Sequence, residues 1–293
     1  MDLQLRFRGR VHIVTICVVA EPRVNGHDRA GMSAKQSSRF NIAAALVLLC
    51  ASSALVALAR SEIIYSGALD DGEFYFTRLM YDDASGSGGW RGRRGAAFTD
   101  WPEAETHLLQ GLSRLTRLAT GAEGVTIDLA DDELMTFPWL YAVEVGRWYL
   151  SDEDAARLRE YLLRGGFLMV DDFWGTYQWA VFVESMQRVF PDRPIVELGD
   201  DHELLHVLYD LDQRIQIPGR GYFRTGVTWQ GEDSKVPYWR GIFDDNGRLM
   251  VAINFNMDMG DAWEHADDPY YPEPMTALAY RFAVNYVVYA MTH

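Results

Sequence analysis

Residues 151–172 read SDEDAARLREYLLRGGFLMVDD, and this stretch constrains the fold more than any other in the chain. Ser151 is placed to cap a helix, Gly165 and Gly166 stop it, and the chain then passes without a loop into FLMVDD, apolar until it ends in Asp171 and Asp172. The pattern recurs. EFYFTRLMY (residues 73–81) predicts a buried strand, and TDWPEAETHLLQGLSRLTRL predicts a helix with Thr99 or Asp100 as cap and Pro102 in the first turn. GVTIDL and FPWLYAVEV predict strands, TYQWAVFVESMQRVF a helix and PIVEL a further strand. Strands that alternate with helices form a mostly parallel sheet with helices on both faces, so the expected class is three-layer α/β. Near the end, WRGIFDDNGRLMVAINFN sets a turn at residues 244–247 between two strands, which makes a hairpin, and EPMTALAYRFAVNYVVYAM closes the chain as an apolar helix.

Composition supports one sizeable core: of 293 residues 48% are hydrophobic and 13% aromatic, and residues 61–293 read as a single domain. Upstream, Lys35 and Arg39 precede an uncharged run over residues 41–59 that ends in Ala57-Leu58-Ala59. Residues 32–60 therefore read as an export signal or, if uncleaved, as a membrane anchor through residues 41–59, which places the domain in the periplasm or outside the cell. Residues 1–31 precede a second plausible start at Met32 and are expected to be unstructured, as an over-extended start. Beyond residue 59 the chain keeps 20 basic and 39 acidic residues, a net charge near −19. Such a surface excludes nucleic acid as a partner and leaves a small molecule, a glycan or an envelope protein. Cys17 and Cys50 both lie upstream, so the domain has no disulfide, no thiolate metal site and no cysteine nucleophile.

Six blocks carry a resemblance: TDWPEAETHLL, FPWLYAVEVG, LREYLLRGGFLMVDDFWG, the histidines of DDHELLH, DDNGRLMVAINFNMDMGDAWE and AYRFAVNYVVYAM. In this order they resemble the bacterial family called domain of unknown function 4159, over nearly all of residues 74–291. The resemblance implies a flavodoxin-like sheet related to the class I glutamine amidotransferases, and it implies no established activity. An amidotransferase places a cysteine on a sharp strand-to-helix turn. Here DDFWGTY stands at that turn, so amidotransferase chemistry is excluded.

The most eye-catching motif is His202-Glu203-Leu204-Leu205-His206, which matches the His-Glu-x-x-His of zinc peptidases. It follows Gly199-Asp200-Asp201, so it begins a helix instead of occupying its middle, and no third ligand follows at metzincin spacing. In the resembled family the block looks like His-Pro-x-x-His, and a proline in place of Glu203 could not act as a base. No cofactor is expected; the alternative is a divalent metal on His202 and His206. Asp171 and Asp172 end a strand where open α/β sheets bind ligands. NFNMDMGDAWEHADD, the densest polar and aromatic segment, offers Asn254 and Asp258 as hydrogen-bonding groups and Trp263 as a stacking surface. GSGGWRGRRG matches no nucleotide fingerprint and reads as a surface lid. The leading expectation is a non-catalytic ligand-binding or scaffold domain at the cell envelope. Its pocket would be lined by Asp100, Asp171, Asp172, Trp174, His202, His206, Asn254, Asp258 and Trp263. The alternative is a hydrolase, metal-assisted or using a carboxylate pair.

Overall fold

The computed structural model describes residues 3–7, 10–14, 71–84 and 94–293. The chain divides into two compact units, Met1–Ser61 and Glu62–His293. In the first, β1 (Leu3–Phe7) pairs antiparallel with β2 (Arg10–Val14), inside the stretch expected to be unstructured. The candidate export segment, residues 32–60, lies outside the described residues. Among the described residues no helix is long and apolar enough to cross a membrane.

The second unit is built on a seven-stranded sheet. Its strands are β3 (Thr77–Met80), β5 (Val125–Asp128), β6 (Trp139–Val143), β8 (Phe167–Asp171), β9 (Val196–Glu197), β10 (Tyr238–Phe243) and β11 (Leu249–Phe255). They lie in the order β5-β3-β6-β8-β11-β10-β9. The first five are mutually parallel, whereas β10 runs antiparallel to both β11 and β9. Two short strands, β4 (Asp82–Asp83) and β7 (Trp148–Tyr149), pair at the rim.

Parallel strands covered on both faces need apolar side chains on both sides, and β6, β8 and β11 are buried at every position. Residue parity sorts the two cores. Trp139, Tyr141, Val143, Phe167 and Met169 pack with helices α1 (Glu103–Leu115), α5 (Met259–Glu264) and α6 (Glu273–Thr292). Leu140, Ala142, Leu168 and Val170 face the other way, onto α2 (Asp152–Leu163) and α3 (Gly175–Val189). The expected three-layer α/β architecture is therefore the observed one. A four-residue helix, α4 (Tyr222–Thr225), sits in the long connection before β10.

Local signals explain most boundaries. Ser151 accepts the Asp154 N–H while the Asp154 carboxylate accepts the Ser151 N–H, a reciprocal cap that fixes the start of α2. Gly165 follows that helix at φ 111°, a conformation glycine adopts without strain. The hairpin turn forms as expected, with Asp244 N–H donating to Arg248 O at 2.9 Å. Two expectations change. α1 begins after Pro102 with no side-chain cap, so neither Thr99 nor Asp100 spends a side-chain oxygen there. The polar segment after β11 contains a short helix: Asp258 accepts the Asp261 N–H at 2.8 Å and starts α5.

Candidate metal centre

The carboxyl ends of the parallel strands gather acids. Asp100 comes from the loop after β3, Glu144 follows β6, Asp171 and Asp172 end β8, and Asp258, Asp261 and Glu264 follow β11. A cavity of about 420 Å³ is lined by six of these carboxylates, Asp100, Glu144, Asp172, Asp258, Asp261 and Glu264, with Arg220 as the only basic side chain among the described residues. One oxygen each of Asp100, Asp258 and Asp261 lie within 4.8 Å of one another.

The backbone is arranged to bring them this close. A Cβ on Gly260 would sit 2.2 Å from Asp100 Oδ2 and 2.7 Å from the Tyr141 hydroxyl. A Cβ on Gly219 would sit 2.8 Å from Asp258 Oδ2, so a side chain at either position would displace a carboxylate or a tyrosine. Asp100, Glu144, Asp172 and Asn256 have φ between 50° and 63°, and they are the only non-glycine residues of positive φ among the described residues. Three of the four line the cavity. Asp and Asn adopt this region more readily than Glu, so what strain the rim holds falls chiefly on Glu144.

Several oxygens here lack partners. Asp100 Oδ2, Asp171 Oδ1 and Asp261 Oδ1 are buried without a hydrogen bond. A buried carboxylate oxygen left this way is costly to hold as an anion, and like charges nearby add to the cost. Accordingly, burial raises Asp100, with Asp261 and Asp172 adding to the effect. Burial also raises Asp172, helped by Glu144 and Asp261, and raises Asp258, helped by Asp172 and Asp261. Asp171 is pushed up to about 7 by burial, against the pull of the Gly260, Met259 and Asp172 N–H groups and the Tyr141 hydroxyl. Its Oδ2 accepts from Met259 N at 2.7 Å and Gly260 N at 3.0 Å, so Asp171 anchors the first turn of α5.

Of the residues singled out in the sequence, Asp100, Asp172 and Asp258 line the cavity. Trp174 serves Asp172 by donating its indole N–H to Oδ1 at 2.6 Å. Asp171 does not line the cavity but holds α5, and the other four lie elsewhere. Asn254 is buried between Val170 O and the Tyr286 hydroxyl, which holds β11 to its neighbours. Trp263 is not a stacking surface: it is fully buried, edge-on to Phe76 with ring centroids 6.2 Å apart. The histidine pair sits at the opposite end of the sheet. His202 packs on Phe243 and Tyr289, and Tyr289 in turn packs on Phe167, the first residue of β8.

The pair also lacks the helix its motif requires. Residues Glu203–Leu205 form one 3₁₀ turn with His202 and His206 flanking it, so the imidazoles do not share a helix face. His202 Nδ1 accepts the Leu204 N–H at 3.1 Å. His206 is held through both nitrogens, by Asp210 Oδ1 at 2.9 Å and Asp200 O at 2.7 Å. The expected convergence of His202 and His206 with Asp171 and Asp172 is thus corrected. The two apolar residues between the histidines, Leu204 and Leu205, are what the core takes from this segment.

Sequence reasoning passed over Glu144, Arg220 and Arg78. Arg78 is fully buried on β3, pairs with Glu105, and donates to Ala97 O at 3.1 Å and Thr99 O at 2.9 Å. It thereby fixes the backbone immediately before Asp100. An arginine in an otherwise apolar strand run, TRLM, was the available signal. Asp261 and Glu264 stood in the polar segment, and their spacing from Asp258 acquires meaning only once α5 is known to be a helix.

No curated protein matches the chain. Residues 76–291 match the family described as Domain of unknown function (DUF4159). That stretch holds β3 to α6 and every carboxylate of the cavity, and the chain belongs to this family.

Proposed function

We propose that the carboxyl edge of the sheet is a divalent-cation site, with Asp100, Asp258 and Asp261 as its protein ligands. The observation that carries this reading is the approach of three carboxylate oxygens to within 4.8 Å, two of the three residues having a buried oxygen with no hydrogen-bond partner. A hard cation supplies the missing charge and the missing partner together, and all-oxygen ligation suits Mg²⁺, Ca²⁺ or Mn²⁺. The remaining cavity, with Arg220 on its wall, then offers room for an oxygen-rich ligand held by the ion. On this reading the domain is a cation-dependent binding module working at the cell envelope, where residues 32–60 would deliver it.

The parallel strands, numbered among themselves, run 2-1-3-4-5, which supports a flavodoxin-like arrangement. In such sheets ligands bind outside the carboxyl ends of the strands, at the edge proposed here. A metal-assisted hydrolase is the second reading. It is favoured by Glu144 and Asp172, which line the same cavity outside the proposed ligand set and could serve as base or acid toward a bound substrate.

The test is calorimetric titration of the chelator-treated full chain with Ca²⁺, Mg²⁺ and Mn²⁺. At least one of these ions binds, and Asp258→Asn weakens binding by about tenfold or more, or about 1.4 kcal/mol. Absence of binding by all three ions overturns the proposal. A panel of ester, glycoside and phosphate chromogens, run with the ion that binds, separates the module from the hydrolase.

A further inference from the structure

Beyond the three-aspartate cluster, Asp261 belongs to a second convergent group. One ligand atom each of Asp261, Glu264 and His265 lie within 4.8 Å of one another. His265 Nε2 stands 3.3 Å from Glu264 Oε2 and 3.8 Å from Asp261 Oδ1. Donors about 2.0–2.2 Å from one ion stand roughly 3 to 3.5 Å apart, so this spacing needs only a slight contraction.

The nitrogen and the Asp261 oxygen are both buried without a hydrogen bond. The Asp261 side chain is 4% exposed, while its other oxygen accepts the Arg220 N–H. An imidazole nitrogen within ion-pair distance of two carboxylate oxygens that forms a hydrogen bond with neither is an arrangement a metal completes. Position is held from behind, since the His265 ring packs edge-on to Phe223 with centroids 5.0 Å apart and stacks on Tyr271. A pre-set imidazole loses little freedom on ligation.

Resting on the cation reading above, we infer that the site is dinuclear: a second metal ion binds Asp261, Glu264 and His265, and Asp261 bridges the two ions. The ligand sets differ in kind. Carboxylates alone suit a hard cation, and the imidazole shifts the second position toward a transition metal. Three protein ligands leave coordination positions open to water or to an anionic group, and Glu264 and Arg220 both line the 420 Å³ cavity that such a group would enter.

The experiment loads the full chain with Mn²⁺, removes unbound ion, and measures manganese per chain together with the paramagnetic resonance spectrum. The wild type is expected to hold two ions with an exchange-coupled spectrum, and His265→Ala one ion with an uncoupled six-line spectrum. Glu264→Gln provides a second route should His265→Ala fail to fold, as judged by circular dichroism. A wild type that holds one ion overturns the dinuclear inference and leaves the three-aspartate site standing. A wild type that holds none overturns the dinuclear inference, and the three-aspartate site falls with it only if Ca²⁺ and Mg²⁺ also fail to bind in the calorimetric titration.

Discussion

Two charged assemblies are buried beside each other in this domain, and they are built on opposite terms. Arg78 and Glu105 form an ion pair, 0% and 2% exposed, with further carbonyls around the guanidinium. Asp100, Asp258 and Asp261 gather like charge, and among the described residues the basic group at ion-pair distance is the His265 imidazole, 3.8 Å from Asp261. The first assembly balances its charge and holds a loop in place, although Arg78 Nη2 and Glu105 Oε2 are buried without a hydrogen bond. The second is incomplete without protons or a cation, and incompleteness inside a cavity marks a site more reliably than a motif does.

The largest effect should come from breaking the charge-paired assembly. Arg78→Met leaves Glu105 buried and unpaired, and is expected to cost about 3–5 kcal/mol in denaturant unfolding, with much of that recovered in Arg78→Met/Glu105→Leu. A loss no greater than that of an ordinary core substitution would remove the distinction between the two assemblies. Next in size is the cation. At about 100 times its dissociation constant a bound ion stabilises the fold by about 2.7 kcal/mol, read as a rise in thermal midpoint that a chelator reverses and a tenfold weakening in Asp258→Asn cuts to about half.

The third effect is on pH dependence, and its sign is opposite to that of a paired carboxylate. Asp171 is raised to about 7, and Asp100, Asp172 and Asp258 are raised in the same direction, so the folded chain binds more protons than the unfolded one above the ordinary carboxylate range. The metal-free protein should therefore gain stability as pH falls through 7. From pH 8 to 6, Asp171 alone contributes about 1 kcal/mol. Stability that falls over that interval would contradict the unpaired state of the cluster. The smallest effect belongs to the histidine pair: His206→Ala should leave cation affinity unchanged in the same titration.

The fold was legible because its signals are local. Ser151 with Asp154, the glycines after α2, the turn at residues 244–247 and the apolar runs of β6 and β8 each act within a few residues. The site was legible only in part. Asp172 and Asp258 could be found because each follows a strand, and Asp100 because it stands just before a helix, rules that need no tertiary information. The first rule also drew in Asn254, the strand-end residue whose side chain turns into the core. Glu144 and Arg220 carry no local signal, since their role depends on which loops meet above the sheet. His202 and His206 misled for the converse reason: the motif presumes an α-helix, and the segment forms a single 3₁₀ turn.

The clamp of Arg78 on the Ala97 and Thr99 carbonyls has a further consequence. The proposed ligands come from both ends of the domain sequence, and Asp100 reaches its place only when β3 is seated and Arg78 has closed on the loop. A half-assembled chain therefore offers scattered surface acids and no chelate. Cation uptake would then report completed assembly, so the time at which a refolding chain first captures its ion dates the last step of folding.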